Sequence, residues 1–239
     1  MKKYFLLNII LITLFCNPNI SYAWVYPEHR DIALIAIQNL SPEYRSVLDA
    51  LWAEARKGYE FRLTEAVIDA TQSTNPTHLD YASWPAISGD HSCSAKNMLH
   101  NVLNTDWILK VADITAQLKF DISKSKDRVA IINALRASDL RLQSADPEYA
   151  TRAGSNNVHF LLPLTDPSIK LETYIFRCIA EDTELNALGL YSWYHARAIA
   201  KISRINSNNL TPEERSVLIR SALAGEACAL HFLKDAFAA

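Results

Sequence analysis

Glycine is scarce in this chain, with 5 in 239 residues: Gly58, Gly89, Gly154, Gly189 and Gly225. No two lie within six positions of each other. That spacing excludes a phosphate-cradling loop, a dinucleotide fingerprint and a Gly-x-Ser-x-Gly elbow, each of which needs a tight glycine turn. Neither Cys-x-x-Cys nor His-Glu-x-x-His occurs. Cysteine is also sparse. Of the four, Cys93, Cys178 and Cys228 lie beyond the first 23 residues and allow one internal bridge plus a free thiol, so the core rather than a disulfide scaffold must carry the stability. There is no strand-type alternation, internal repeat, low-complexity tract or linker.

The N-terminus is a targeting pattern. Lys2 and Lys3 precede an apolar run from Tyr4 to Cys16, and Ser21-Tyr22-Ala23 places small residues at −3 and −1. This predicts a secretory signal over residues 1–23, cleaved before Trp24. The run of 13 residues is shorter than the ~20 needed to span a bilayer. Residues 24–239 then carry 22 basic against 26 acidic side chains, a formal charge of −4. No basic balance draws this protein to nucleic acid. With 49% hydrophobic and 21% charged residues, the mature part can bury one globular core.

The pattern reads as helix after helix, an all-α, multi-helix bundle-like domain. Ile32, Ile35, Ala36 and Leu40 recur at helical spacing over His29–Leu40. Ser41-Pro42-Glu43 opens a second helix with a capping residue and a proline at the first helical position. Further helices are expected over Arg62–Ala70, Ala95–Phe120, Lys126–Gln143 and Thr183–Ile205, with Leu99, Leu103, Ile108 and Val111 on one face of the long one. Residues 71–93 read as an ordered loop, and Val158–Leu164 as a short strand or buried turn. Thr211-Pro212-Glu213-Glu214 is a capping box that opens the last helix.

The chemistry concentrates at the two ends. His231 and Asp235 lie four apart on a helix, about 400° of rotation, so both project from one face. Ala227, Leu230, Phe232, Ala236 and Phe237 make that helix apolar nearly all round, which places both polar groups inside. A buried carboxylate needs a partner or a metal, and an imidazole–carboxylate pair at this spacing can bind a divalent ion. At the other end, cleavage makes Trp24 the first residue, with an amine and carbonyl that chelate, and His29 follows five positions later. Between them, the loop from Thr77 to His91 is dense in acids and imidazoles. His159 reads as a satisfied core histidine and His195 as a packing residue beside Tyr191 and Tyr194.

Trp at the processed N-terminus, His five residues on, a mid-chain Asp…His pair and His-x-x-x-Asp on an apolar helix together resemble the zinc-dependent phospholipase C and P1 nuclease superfamily. The resemblance implies an all-α fold and zinc-dependent hydrolysis of phosphodiesters. Trp24, His29 and Asp235 would then hold one zinc, and Asp80, His91, His231 and Asp235 a second, with Asp235 bridging. A hydroxide between the ions would attack, and Asp80 would orient or deprotonate it. Asp90, adjacent to His91, is the alternative to Asp80. The family motif continues to a histidine two positions beyond Ala239, so the third zinc site has no ligands here and the domain over residues 24–239 reads as incomplete at its C-terminus. The implied protein is a secreted or periplasmic phospholipase C-like phosphodiesterase acting on phospholipid or a membrane surface, with no protein partner implied. A P1-type single-strand nuclease and a catalytically inactive remnant or helical binding protein are the alternatives.

Overall fold

The computed structural model describes residues 24–70, 76–153, 156–205 and 209–238. The expected signal over residues 1–23 lies outside them. The architecture grows from helix signals that the local sequence supplies. Helix α1 (Tyr26–Gln38) has Pro27 in its first turn, and Glu28 reaches back so that Val25 N donates to its Oε2 at 3.0 Å. Helix α2 (Pro42–Ala55) is capped by Ser41, which accepts from Tyr44 N. A short α3 (Ser83–Ile87) follows, then α4 (Ala95–Asn104), α5 (Trp107–Lys124), α6 (Arg128–Ala145) and α7 (Tyr149–Ala153). A 3₁₀ turn (Asn156–His159) leads to α8 (Leu171–Ile179), α9 (Ala187–Ile205) and α10 (Pro212–Asp235). Ten α-helices and no strand occur among the described residues, beyond an isolated bridge between Leu63 and Leu79.

Helix α10 is the spine. Thr211 and Glu214 satisfy each other's backbone N–H groups at 3.2 and 2.8 Å, the reciprocal cap read from the sequence. Along α10, Ala222, Ala224, Ala227 and Ala229 are buried and small. They let α9 pack closely, with Gly225 facing Ala198, while α2, α3 and α4 cover the remaining sides. Trp52, Tyr81 and Trp84 form an aromatic knot beneath it, with ring centroids 5.5–6.0 Å apart. Helix α10 is long and apolar enough to cross a bilayer, but most of it is buried in this core.

Several elements differ from the sequence expectation. Residues 62–70 are not helical, because their backbone is spent on the loop pairing, with Leu79 N donating to Arg62 O at 2.8 Å and Thr64 N to Leu79 O at 3.1 Å. The long helix expected over Ala95–Phe120 is two helices broken at Thr105 and Asp106, since Arg62 enters there and takes the carbonyls of Val102 and Thr105. Its expected apolar face holds: Leu103, Ile108 and Val111 are buried and Leu99 is half-buried. The helix expected from Thr183 starts at Ala187 instead, where Asn186 Oδ1 accepts from Gly189 N.

Candidate metal centre

The final turns of α10 carry His231 and Asp235 inward on the same face, as their spacing requires, with 0% and 1% exposure. Across from them, α1 delivers His29, fully buried, with its ring stacked on that of His231 at 4.2 Å between centroids. His29 Nε2 lies 3.2 Å from Asp235 Oδ1, and His231 Nε2 lies 3.1 Å from Asp235 Oδ2. The third imidazole is His159, at the end of the 3₁₀ turn. Its Nδ1 is 2.6 Å from Asp235 Oδ2 and 3.2 Å from His231 Nε2. One carboxylate therefore meets three imidazoles.

This arrangement is short of protons. His231 Nδ1–H donates to the Pro85 carbonyl at 2.9 Å, so in the neutral ring Nε2 presents a lone pair. That lone pair faces a carboxylate oxygen and a second imidazole nitrogen, both within 3.2 Å. The three acceptors have at most the His159 Nδ1 proton between them, so a cation there, an extra proton or a metal ion, would relieve the convergence. His29 Nδ1 has no partner, and His29 Nε2 and Asp235 Oδ1 meet each other at 3.2 Å without a well-directed hydrogen bond. Burial, reinforced by the neighbouring His231, lowers the His29 pKa to about 4, so its ring is neutral at pH 7 and offers one nitrogen lone pair as a ligand. Burial alone would raise the Asp235 pKa, but the imidazoles of His159, His231 and His29 hold it far below the usual carboxylate range. Burial opposes charge on His231 as well, yet Asp235 outweighs it and its pKa is raised.

Two groups of ligand atoms each gather within 4.8 Å: His29, His231 and Asp235 form one, and Asp90, His159 and His231 the other. Gly89 makes room for the second. It sits at φ +73°, and a Cβ there would lie 2.1 Å from His231 Nε2, so only a residue without a side chain leaves the front of that nitrogen open. A cavity of about 60 Å³ runs past Asp90 and His91, bounded by the start of α1, α6 and Tyr149. The supports are equally specific. Trp24 donates its indole N–H to the Lys234 carbonyl at 2.9 Å, so the residue expected at the mature N-terminus lies against the last turn of α10. Lys234 is itself buried and donates to the His29 carbonyl at 2.8 Å, tying α10 to α1; burial lowers its pKa to about 7.

The structure thus brings His29, His231 and Asp235 together, sets the Trp24 indole against the backbone of the neighbouring Lys234, and places Asp80 and His91 elsewhere. Asp80 is fully buried, but its oxygens are consumed: Oδ2 accepts from Arg30 at 2.6 Å and from Asp69 N at 2.9 Å, and Oδ1 from Ser83 N and Oγ at 3.0 and 2.6 Å. It starts α3 and neutralises Arg30. His91 turns away from the cluster, stacks on Tyr149 and bonds Asp146 Oδ2 at 3.0 Å. Its neighbour Asp90 reaches the cluster instead, and His159, read as a core histidine, is a member of it. The available signal for His159 was its position in a turn between apolar residues, which a packing histidine shares. His195 pairs with Glu226 at 2.8 Å on the far side of α10.

These placements give one variant a definite outcome. Asp80→Asn should destabilise the fold by about 3 kcal/mol, because the Arg30 guanidinium loses its buried counter-charge, while leaving metal content unchanged. Denaturant midpoints and metal analysis of the same sample check this. Loss of metal without loss of stability would return Asp80 to the centre.

No family model, curated protein or solved structure matches this chain.

Proposed function

We propose that the chain is a secreted, zinc-dependent phosphodiester hydrolase of phospholipase C type. The observation that carries this reading is the buried Asp235 carboxylate shared by three imidazoles, with His29 Nδ1 left without a partner inside the core. Nitrogen and carboxylate donors of this kind suit zinc. His29 and Asp235 would hold one ion, with the Trp24 amine and carbonyl completing it once the signal is removed. Asp90, His159, His231 and Asp235 would hold the other. Zinc bound there supplies a Lewis acid for the phosphodiester and lowers the pKa of water to about 7.

The chain's own residues do the positioning. Pro85 holds His231 in the tautomer that turns Nε2 to the centre. Lys234 clamps the backbone of His29. Asp90, half-buried at the small cavity, is the carboxylate placed to accept a proton from an attacking water, a role that Asp80 cannot take with all its lone pairs in use. The acidic balance favours a phospholipid over a polyanionic nucleic acid.

Zinc analysis on exported protein beginning at Trp24 should give about two ions per chain. The same sample should release phosphocholine from phosphatidylcholine and leave single-stranded nucleic acid intact. Nucleic acid cleavage alone would assign the nuclease activity instead. Zinc without either product would leave a binding protein.

A further inference from the structure

His159 is followed at once by an excursion whose chemistry is inverted. The chain leaves the core at Phe160 and returns at Ala187, and the two ends are joined by a bond from Ala187 N to Phe160 O at 2.9 Å. Its interior is built. Tyr174 donates to the Leu162 carbonyl at 2.6 Å, and the buried Asn186 donates to the Cys178 carbonyl at 2.8 Å. Only Cys178 of α8 is buried, and Tyr174 is partly so; the rest of the helix faces outward. That outer side carries four large apolar side chains among Glu172, Thr173 and Arg177: Leu171 is 68% exposed and Phe176 70%, with Ile175 and Ile179 beside them. Leu164 and Leu185, on the flanking segments, are also exposed. An ordered helix that turns its large apolar side chains to solvent marks an interaction surface.

We propose that the segment from Leu161 to Asn186 is a membrane-docking element, which seats the protein on a zwitterionic phospholipid surface with the metal centre at its root. The choice of a lipid surface rests on the phosphodiesterase reading. The charge balance selects the kind of surface. Asp166, Glu172, Glu181, Asp182 and Glu184 face only Lys170 and Arg177, a formal −3, so an anionic leaflet repels the segment while a neutral headgroup layer does not. Leucine, isoleucine and phenylalanine on a short helix suit shallow insertion at the headgroup boundary. The neck bond then sets the depth of the His159 turn relative to that boundary, because His159 immediately precedes Phe160.

The test uses the full chain from Trp24, zinc-loaded, sedimented with vesicles of phosphatidylcholine alone or phosphatidylcholine mixed with phosphatidylglycerol. Wild type should partition onto phosphatidylcholine vesicles, and no more strongly onto the anionic ones at low salt. The double variant Leu171→Ser/Phe176→Ser should bind at least tenfold more weakly, with unchanged circular dichroism and unchanged hydrolysis of a monomeric short-chain phosphatidylcholine. Failure of wild type to sediment, or equal sedimentation of the variant, would overturn the proposal. So would a wild-type dimer in light scattering that the variant abolishes, since a second copy would then cover the face. Vesicle binding without hydrolysis of the monomeric substrate would instead sink the phosphodiesterase reading alone.

Discussion

Asp235→Asn is expected to strip the protein of both metal ions and to lower phosphodiester hydrolysis by at least about 10³-fold. Asp235 is the one group common to both proposed ligand sets, and each of His29, His159 and His231 touches it within 3.2 Å. The amide keeps the shape but cannot neutralise a cation or accept from more than its one oxygen. Its effect on the metal-free protein has a definite sign. A carboxyl whose folded pKa is depressed stabilises the fold fully above its unfolded value, near 4, and loses that contribution as pH falls below it. At pH 7 the variant should therefore be less stable by about 3–5 kcal/mol, the cost of removing one member of a buried pair. Below pH 4 the gap to wild type should begin to narrow, by about 1.4 kcal/mol per pH unit, because the folded pKa lies far lower. Metal analysis and denaturation across pH 3–7, with and without chelator, read both halves. Two ions retained in the variant would refute the shared carboxylate.

Gly89→Ala should act from the opposite side of the centre. The added methyl would lie 2.1 Å from His231 Nε2, 2.4 Å from its Cδ2 and 2.8 Å from its Cε1. His231 cannot swing aside without leaving the Pro85 carbonyl and Asp235. The backbone, at φ +73°, adds about 1–2 kcal/mol of left-handed strain, and overpacking about 1–3 kcal/mol more. The expected result is loss of the ion proposed for Asp90, His159 and His231, and a fall in stability of about 2–5 kcal/mol. Gly58→Ala is the matched control. It carries the same kind of strain, at φ +80°, but has nothing within 4 Å of the new methyl, so it should cost only the strain and leave the metal content alone. Equal metal loss in the two variants would mean that Gly89 guards the fold and not the site.

Much of the helical framework was legible in the chain because its signals are local. Ser41 with Pro42, and Thr211 with Glu214, cap the helices at the places read from the sequence. Helix α8 carries no such signal: it is nine residues long and no capping side chain marks its start. Residues 62–70 failed for the reverse reason. Their apolar spacing suits a helix, but Leu63 and Val67 are buried by a loop pairing whose partner lies beyond the window that periodicity can see.

The centre divides along the same line. That His231 and Asp235 point the same way, and that His29 stands at the head of a helix, follows from the 3.6-residue turn and could be stated without coordinates. The choice between Asp80 and Asp90, and between His91 and His159, could not. These four sit in or beside loops, where spacing carries no direction and adjacent side chains part company. Arg30, 50 residues away along the chain, claims Asp80, and Asp146, 55 residues away, claims His91. Ion pairing across the fold thus removed two candidates and left Asp90 and His159 gathered about His231. Local hydrogen bonding wrote the helices into the sequence, while burial and long-range charge pairing selected which of its acids and imidazoles meet.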